Sequence, residues 1–470
     1  MPGLFDTLHL GQQSLQVQRT GIEVAGQNLA NVNNPAYARQ RVHIQTLPAV
    51  PTMNGLLGTG AEVAAIRQVR DRLIDGQLQQ EFSVRGFLDA QQSALGLAQA
   101  ILGHEIDRQS APELGGSTGT SHGLGETLGE LFNAFQSLST APTSISDRQV
   151  ALAKAQTLAG QFNQMDQRLT QLQQSLDTSI QSDVAKANEL LAEVATINSE
   201  IFRLENSANG VANDLRDLRL EKIEALSKLV NVQATEQANG LVDISIGGVS
   251  MVDGVNAIDS LETYNSGPGG LLIRSATGQV PLTLTGGSIQ GTIEAREGSV
   301  KTLQTDINAL AAALITEVNA IHSAGFSLTG STGAAFFTGA NASDIAVNGA
   351  LLGDPSLLQL SDTAGAAGNN GMALRLAQLA DQQIAGLNNR TLVGDYDHSM
   401  VALGEALSSV NGSIEDQDII EGMLLRQREA VSGVSMDEEM TDLVKFQKAF
   451  EASARLITTV DEMLDTIIRM

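Results

Sequence analysis

The chain has 470 residues, of which 42% are hydrophobic and only 3% aromatic, a length that suits about three domains of ordinary size. Its 28 basic and 53 acidic residues give a net charge of −25, which argues against nucleic acid or an anionic membrane as the main partner, because both need a basic face. The sequence has no cysteine, which excludes disulfides and cysteine-ligated metals, and no apolar run approaches the about 18–20 residues of a membrane-spanning helix.

An amphipathic helix is predicted over residues 4–32, where apolar residues recur at alternating intervals of three and four. This spacing is typical of a narrow coiled-coil seam, which we expect to be formed by Leu4, Leu8, Gly11, Leu15, Gln18, Ile22, Ala25, Leu29 and Val32. Pro35 ends the helix, since the residue before a proline avoids the helical conformation.

Further helices are predicted in the middle of the chain. The three–four spacing continues over residues 146–204, which indicates a long rod, and shorter helices are predicted over 215–229 and 299–322. Residues 325–371 are rich in glycine, alanine, serine, asparagine and threonine, so we expect a loop with little regular structure there. Residues 331–425 carry two basic and eleven acidic side chains, which favours a solvated face.

A small antiparallel β insertion is predicted at about residues 231–286, where the apolar spacing changes to two residues. Asn239–Gly240 is a hairpin turn signal, and Gly247–Gly248 is a second one. We also expect the strand at 271–273 to pair with 282–284 across the turn at Thr277–Gly278.

A second long amphipathic helix closes the sequence, from Met436 to about Arg469. Ser435 and Glu438 have the spacing of a capping box, in which each side chain binds a main-chain N–H at the start of the helix. The apolar stripes that follow are expected to be formed by Met440, Leu443, Phe446, Phe450, Ile457, Val460, Leu464 and Ile467.

Catalytic motifs were sought without result: no nucleophile elbow, P-loop, dinucleotide loop or zinc-protease helix motif occurs. The densest group of possible metal ligands is Asp395, Asp397 and His398, followed by Glu415, Asp416 and Asp418. An acidic turn before a helix starting near Ser399 explains the first three better, because carboxylates are favourable at a helix N-terminus for dipole reasons alone. His322, at the end of a predicted helix, reads as a packed core histidine or a helix-dipole contact. We therefore expect no enzyme activity, no catalytic or metal site and no cofactor.

The two terminal helices bury too little apolar surface to be stable alone. Ordering about thirty residues in each helix costs roughly 1–2 kcal/mol per residue in backbone entropy. About fifteen seam side chains return only about 1.5–3 kcal/mol each, and several of them are small or polar. We infer that the pair is marginal in a monomer and is ordered when neighbouring subunits cover its outer stripes. The alternative is that both ends dock on the body of a monomeric protein.

Two terminal motifs resemble the axial family of bacterial flagellar rod, hook and junction proteins. The stretch NLANVNNPAYARQ (28–40) is similar to the family's N-terminal signature. The residues that carry this similarity are Asn28, Asn31, Pro35, Tyr37 and Arg39. The stretch SGVSMDEEMTDLVKFQKAFEASARLITTVDEMLDTII (432–468) is similar to the family's closing helix. The internal stretches GTGAEVAAIRQVRDRLID (58–75) and DLRLEKIEALSKLV (217–230) extend the resemblance, and the form of 437–440 favours the hook–filament junction branch.

The resemblance implies a mainly α fold with a small antiparallel β insertion, α+β overall. Its expected domains are a terminal coiled coil of residues 1–40 with 432–470, a helical rod domain of 41–230 with 290–431, and a β-rich outer domain of 231–289. Together with the seam residues named above, the N-terminal motif positions form the expected assembly interface.

The resemblance further implies a structural subunit that joins hook and filament and assembles helically with copies of itself. The implied partners are hook subunits, a second junction protein and an export chaperone on the C-terminal helix, with no nucleic acid and no membrane. Because the N-terminal segment has neither a basic region nor a continuous apolar stretch, we expect export to the extracellular flagellum through the flagellar type III channel without a cleaved signal peptide. The alternatives are a hook or distal rod subunit, an extracellular adhesin or binding module that uses the β insertion and the acidic face, and a metal-dependent enzyme at the Asp395 cluster.

Overall fold

The computed structural model describes residues 4–52, 55–102, 123–207, 210–265, 267 and 269–469. The expected fold class is confirmed, since long helices dominate and the sheets are small and antiparallel. The helices are α1 (Leu4–Ala30), α2 (Arg72–Ile101), α3 (Leu124–Thr140), α4 (Ile145–Ser207), α5 (Asn213–Leu229), α6 (Gly287–Ala295), α7 (Lys301–Ser323), α8 (Gly349–Gly353), α9 (Gly371–Gln378), α10 (Leu392–Ser432) and α11 (Met436–Ile468).

The strands are short and lie in five antiparallel sheets of the described chain. They are β1 (Gln40–Thr46), β2 (Val50–Thr52), β3 (Gly55–Leu57), β4 (Ala61–Gln68), β5 (Val232–Glu236), β6 (Val242–Ile246), β7 (Val249–Asp253), β8 (Asn256–Ala257), β9 (Leu261–Asn265), β10 (Leu271–Ser275), β11 (Phe337–Thr338) and β12 (Ala346–Val347). β5 to β8 form one sheet in chain order, while β1 pairs with β4, β2 with β3, β9 with β10, and β11 with β12.

The predicted β insertion exists, and the turn at Thr277–Gly278 brings residues 280–282 beside β10 as expected, although this pairing is only one bridge long. β10 pairs with β9 over five residues, whereas residues 282–284 form no strand. The chain returns past β10 through a single bridge between Arg274 and Pro281. At this bridge the N–H of Leu282 donates to the carbonyl of Ile273 and the N–H of Ser275 donates to the carbonyl of Val280, at 3.0 and 2.9 Å.

The hairpin formed by β1 and β4 was not expected, because residues 41–230 were assigned to a helical rod. Its register is continuous from Gln40 opposite Gln68 to Thr46 opposite Ala61, with one irregularity beside His43. The period-two sequence Arg41–Ile44 is the signal that could have revealed it.

Helix α4 is the axis of the body, and it runs unbroken for 63 residues. Its N-terminal half shares one hydrophobic core with α2, α3, α7, α9 and the start of α10. Its C-terminal half shares a second core with α5, α6 and the β5–β8 sheet. No described helix combines the length and the apolarity needed to cross a lipid bilayer.

The segment 325–371 is more ordered than its composition suggested. It is mostly irregular, but Phe336, Phe337 and Leu358 are fully buried against the first core. Eight buried apolar side chains of this segment anchor it to the core, and the two aromatic ones each remove a large apolar area from water. The expectation of a wholly solvated face over 331–425 was therefore wrong in this part.

Arg148 anchors the same loop to the start of α4. Its guanidinium is buried and donates hydrogen bonds to the carbonyls of Pro142, Pro355 and Leu358, at 2.9, 3.2 and 2.8 Å. Burial lowers the pKa of Arg148 to about 10, so the group stays charged at neutral pH.

Replacing Arg148 with methionine leaves these buried carbonyls without a donor. Since an unsatisfied buried polar group costs about 1–3 kcal/mol, we expect R148M to lower the free energy of unfolding by about 3 kcal/mol in urea denaturation. The matched control is R168M, because Arg168 lies on the exposed side of α4 and its loss should change stability by less than about 0.5 kcal/mol. Equal effects of the two substitutions on the free energy of unfolding would contradict the role of Arg148 in anchoring this loop.

Candidate assembly site

The two ends of the chain pack against each other as an antiparallel helix pair. The hydroxyls of Ser14 in α1 and Ser453 in α11 lie 2.7 Å apart. Two glycines of α1 make this close approach possible: a Cβ at Gly11 would lie 2.7 Å from Ile457, and a Cβ at Gly21 would lie 2.7 Å from the ring of Phe446. Both distances are too short for any larger residue.

The seam of α1 is rotated relative to the expected one. The residues that α1 buries are Gly11, Val17, Gly21, Val24, Ala25 and Asn28. Two expected seam residues, Gly11 and Ala25, are among them, whereas Leu8, Leu15, Ile22 and Leu29 are only half-buried along one side of the contact. Gly11 and Gly21 face α11 where the two helices approach most closely, and α1 also packs against β1 and β4.

Helix α11 leaves most of its apolar side chains accessible. Val460 is buried, and Leu443, Phe446, Ile457 and Leu464 are half-buried. Met440 and Ile467 remain 49% and 57% exposed, and Phe450 is also exposed. The helix pair belongs to none of the hydrophobic cores of the described chain. That these side chains contact another subunit stays a prediction.

Asn28 joins the end of the helix pair to the rest of the molecule. Its side chain is 1% exposed, and its amide donates to the carbonyl of Gln40 and to Glu439, at 2.9 and 3.0 Å. Its oxygen accepts from the Tyr37 hydroxyl and the Gln40 N–H, at 2.8 and 3.0 Å. Because two donors and one acceptor oxygen are all used, only asparagine satisfies this position.

The turn between α1 and β1 is held by local hydrogen bonds. The Asn31 amide donates to the carbonyl of Gln27 at 3.0 Å, and Asn34 accepts from the N–H of Ala36 at 3.1 Å. Pro35 is exposed in this turn and makes no buried contact of its own. Burial, together with nearby carboxylates, raises the pKa of Tyr37, so its hydroxyl remains a donor to Asn28.

Arg39 connects this turn to the start of α11. Its guanidinium is buried and pairs with Glu438 and with Glu439, the latter at 2.5 Å. The main-chain N–H of Arg39 donates to the carbonyl of Ser432 at 2.9 Å. The expected capping box is wrong, because the Ser435 side chain makes no capping hydrogen bond. Glu438 binds Arg39 instead, since a buried guanidinium needs a carboxylate partner.

Asp217 of α5 attaches the same turn to the body. It accepts from the N–H of Ala38 at 3.2 Å, from Gln68 at 2.7 Å and from Arg70 at 2.5 Å. Burial raises the pKa of Asp217 to about 6, against the opposing effect of Arg70. Single-sequence periodicity could not identify these residues, although Arg70 and Asp217 lie in two of the internal stretches that resemble the flagellar family.

The candidate metal ligands are not brought together. Asp395 is buried and pairs with Arg390 at 3.1 Å, whereas Asp397 and His398 are exposed. Helix α10 begins at Leu392 and not near Ser399, with Thr391 accepting from the N–H of Gly394. Across the described ranges, no three histidine or carboxylate side chains are arranged to hold a metal ion.

His322 is a packed core histidine. It is fully buried in the first core, its Nδ1 lies 2.8 Å from the carbonyl of Ala334, and its Nε2 accepts from the N–H of Gln359 at 3.1 Å. These partners require the neutral ring with the proton on Nδ1. Burial lowers the pKa of His322 to about 4.

Substituting Asn28 with aspartate keeps the shape but removes both amide donors and places a carboxylate beside Glu439. We expect N28D to lower the local stability of the turn by about 2 kcal/mol, which corresponds to roughly 30-fold faster hydrogen exchange at the amides of residues 37–40. N33D is the control, because Asn33 lies exposed in the same turn. Unchanged exchange in N28D would contradict the proposed connection.

Neutral His322 makes stability depend on pH. Its pKa is lower in the folded state than in the unfolded chain, so its stabilisation is complete above about pH 6.5 and is lost as pH falls towards 4. Between pH 7.5 and 5.0, the wild type should lose about 2 kcal/mol that H322Q does not lose, measured by urea denaturation at each pH. H398Q, at an exposed histidine, should follow the wild type, and equal pH slopes for all three proteins would refute this assignment.

Comparison with known proteins identifies similarity along the whole chain. The family model described as "Flagellar hook-associated protein FlgK helical domain" matches residues 115–337, and the model described as "Flagellar basal body rod FlgEFG protein C-terminal" matches residues 427–470. The structure is similar to that of the flagellar hook junction protein FlgK from Burkholderia pseudomallei, with a TM-score of 0.64 and 16% identity, over 76% of this chain and 100% of that chain.

Curated relatives extend the similarity to nearly full length. The chain is 26% identical to flagellar hook-associated protein 1 of Bacillus subtilis, over 100% of this chain and 98% of the relative. It is 22% identical to the protein of the same name from Escherichia coli, over 97% of this chain and 98% of the relative. Similarity to flagellar hook-associated proteins covers the body as well as both ends of the chain, and it supports the expected resemblance to the hook–filament junction branch of the flagellar axial proteins.

Proposed function

We propose that the chain assembles helically at the hook–filament junction through the α1–α11 pair, with the turn at residues 31–39 setting its angle to the body. The observation that carries this proposal is the exposed apolar surface of α11, which no other part of the described chain covers. Each large side chain buried at an interface contributes about 1.5–3 kcal/mol, so a few of them can drive subunit addition.

The packing supports a division into three parts. The terminal helices make a thin pair outside the cores, α4 and its neighbours make a helical body, and the β5–β10 strands lie at the C-terminal half of α4. We therefore keep the domains proposed from the sequence: 1–40 with 432–470, 41–230 with 290–431, and 231–289. The hairpin of β1 and β4 lies against α1 and links the first two parts.

Similarity to flagellar hook-associated proteins supports a flagellar location and assembly with other axial proteins. The finer partners are part of this proposal: hook subunits on one side, a second junction protein on the other, and copies of the chain itself within the layer. An export chaperone that covers the apolar face of α11, and passage through the type III channel, would keep this face from aggregating before assembly.

A deletion strain tests the function directly. Loss of the gene should leave hooks on the cells and shed filament protein into the medium, as measured by immunoblotting and electron microscopy. Normal filaments with lost adhesion would instead favour the adhesin alternative.

The exposed stripe of α11 is tested by the double substitution M440Q/I467Q. Because both side chains are about half exposed, we expect the isolated protein to keep its unfolding free energy within about 0.5 kcal/mol. Incorporation into flagella of the complemented deletion strain should fall at least tenfold, which corresponds to about 1.4 kcal/mol. V280Q/L374Q is the control, because Val280 and Leu374 are equally exposed apolar residues outside the pair; similar losses in both variants would contradict a specific role of α11.

A further inference from the structure

The outward face of the β1–β4 hairpin carries two arginines directly opposite each other. The register pairs Arg41 with Arg67, and both side chains are exposed. The neighbouring Gln40–Gln68 pair lies on the opposite face, since side chains alternate along a strand. Like charges directly opposite on adjacent strands are destabilising, and neither arginine forms an ion pair with any residue that the structure describes.

The surroundings of this pair are also basic. Arg67 lines a cavity of about 680 Å³ with Arg70, Arg72, Arg216 and Arg219. The carboxylates around this cavity are already occupied, since Glu205 and Glu236 bind Arg216, and Glu236 also binds Arg72. The five arginines of the lining outnumber its three carboxylates, Asp75, Glu205 and Glu236, so this surface is net positive in a chain of net charge −25.

A complementary surface lies on the outer side of α10. Glu415 and Asp416 are exposed and form no ion pair with the described residues. One helical turn further, Ile419 and Met423 are 69% and 54% exposed. The opposite side of the helix is occupied, since Gln417 donates to Glu81 of α2 at 2.6 Å. Acidic and apolar side chains therefore share the free face of α10.

We propose that Arg41 and Arg67 of one copy bind Glu415 and Asp416 of a second copy of this chain. The inference rests on the proposed helical assembly. A second copy of this chain is the expected partner because its acidic surface on α10 complements the two arginines. The two surfaces are different patches of one molecule, so the contact is heterologous. A heterologous contact that does not close propagates as a helix.

Charge reversal tests the contact in flagella of the complemented deletion strain. We expect R41E/R67E to increase the fraction of the protein released into the medium about tenfold relative to wild type, and E415R/D416R to do the same. The four substitutions combined should restore retention, because the reversed charges attract again. R168E/R203E changes the net charge equally at exposed arginines of α4 and should behave as wild type. Failure of the combined variant to recover, or equal release of the control, would overturn the proposal.

Cysteine cross-linking identifies the protein that contacts these arginines. Because the natural chain has no cysteine, only the introduced cysteines can form disulfides within it. Oxidation of isolated flagella containing R67C/D416C should give a ladder of trimers and longer multimers, whereas each single variant and R168C/D416C should give none. Dimers only would indicate a closed symmetric contact and overturn the proposal, as would a product whose mass includes a different protein. Normal incorporation without any ladder would overturn this contact alone, while absence of the wild-type chain from flagella would overturn the proposed function and this contact with it.

Discussion

The buried side chain of Asn28 is the constraint on which the relation between the chain's ends and its body depends. Among the described residues, Asn28 alone joins α1 to the Tyr37 turn, to β1 and to α11. Each of these hydrogen bonds is modest in net value, but leaving any of the buried partners unpaired is expensive. The ion pairs of Arg39 also join this turn to α11, and the hydrogen bonds of Asp217 join it to α5. The turn therefore behaves as a rigid joint between a thin helix pair and a well-packed body.

The distribution of buried apolar surface explains why such a joint is needed. The body has two substantial cores on either half of α4, whereas the helix pair buries only a few small side chains. Backbone ordering of two long helices is costly, and this burial offsets only part of the cost. A polar joint fixes the direction of the helices without covering their outer faces. Those faces are then free for contacts between subunits.

The assembly that we propose for this chain combines two kinds of surface. The apolar stripe of α11 supplies burial, which is strong but not directional. The arginine pair of the hairpin and the acidic face of α10 supply charge, which selects register and partner more than affinity. A junction protein has to match two different lattices, so surfaces that specify orientation are as necessary as surfaces that provide adhesion. The strongly acidic character of the chain makes its few unpaired arginines informative.

The sequence by itself determined helices α1, α4, α5, α7 and α11, their apolar period, the fold class and the residues of the terminal motifs, because these depend on neighbours within a few positions. It could not determine which side of α1 faces α11, since that depends on the interhelical distance allowed by Gly11 and Gly21. It also could not show that Glu438 would bind Arg39, that β10 would pair with β9, or that Asp217 would hold the turn. Each of these contacts joins residues far apart in the chain and is decided by competition between partners for the same buried group. Only the tertiary structure resolves that competition, because an unpaired charge or N–H costs free energy only when folding buries it away from water.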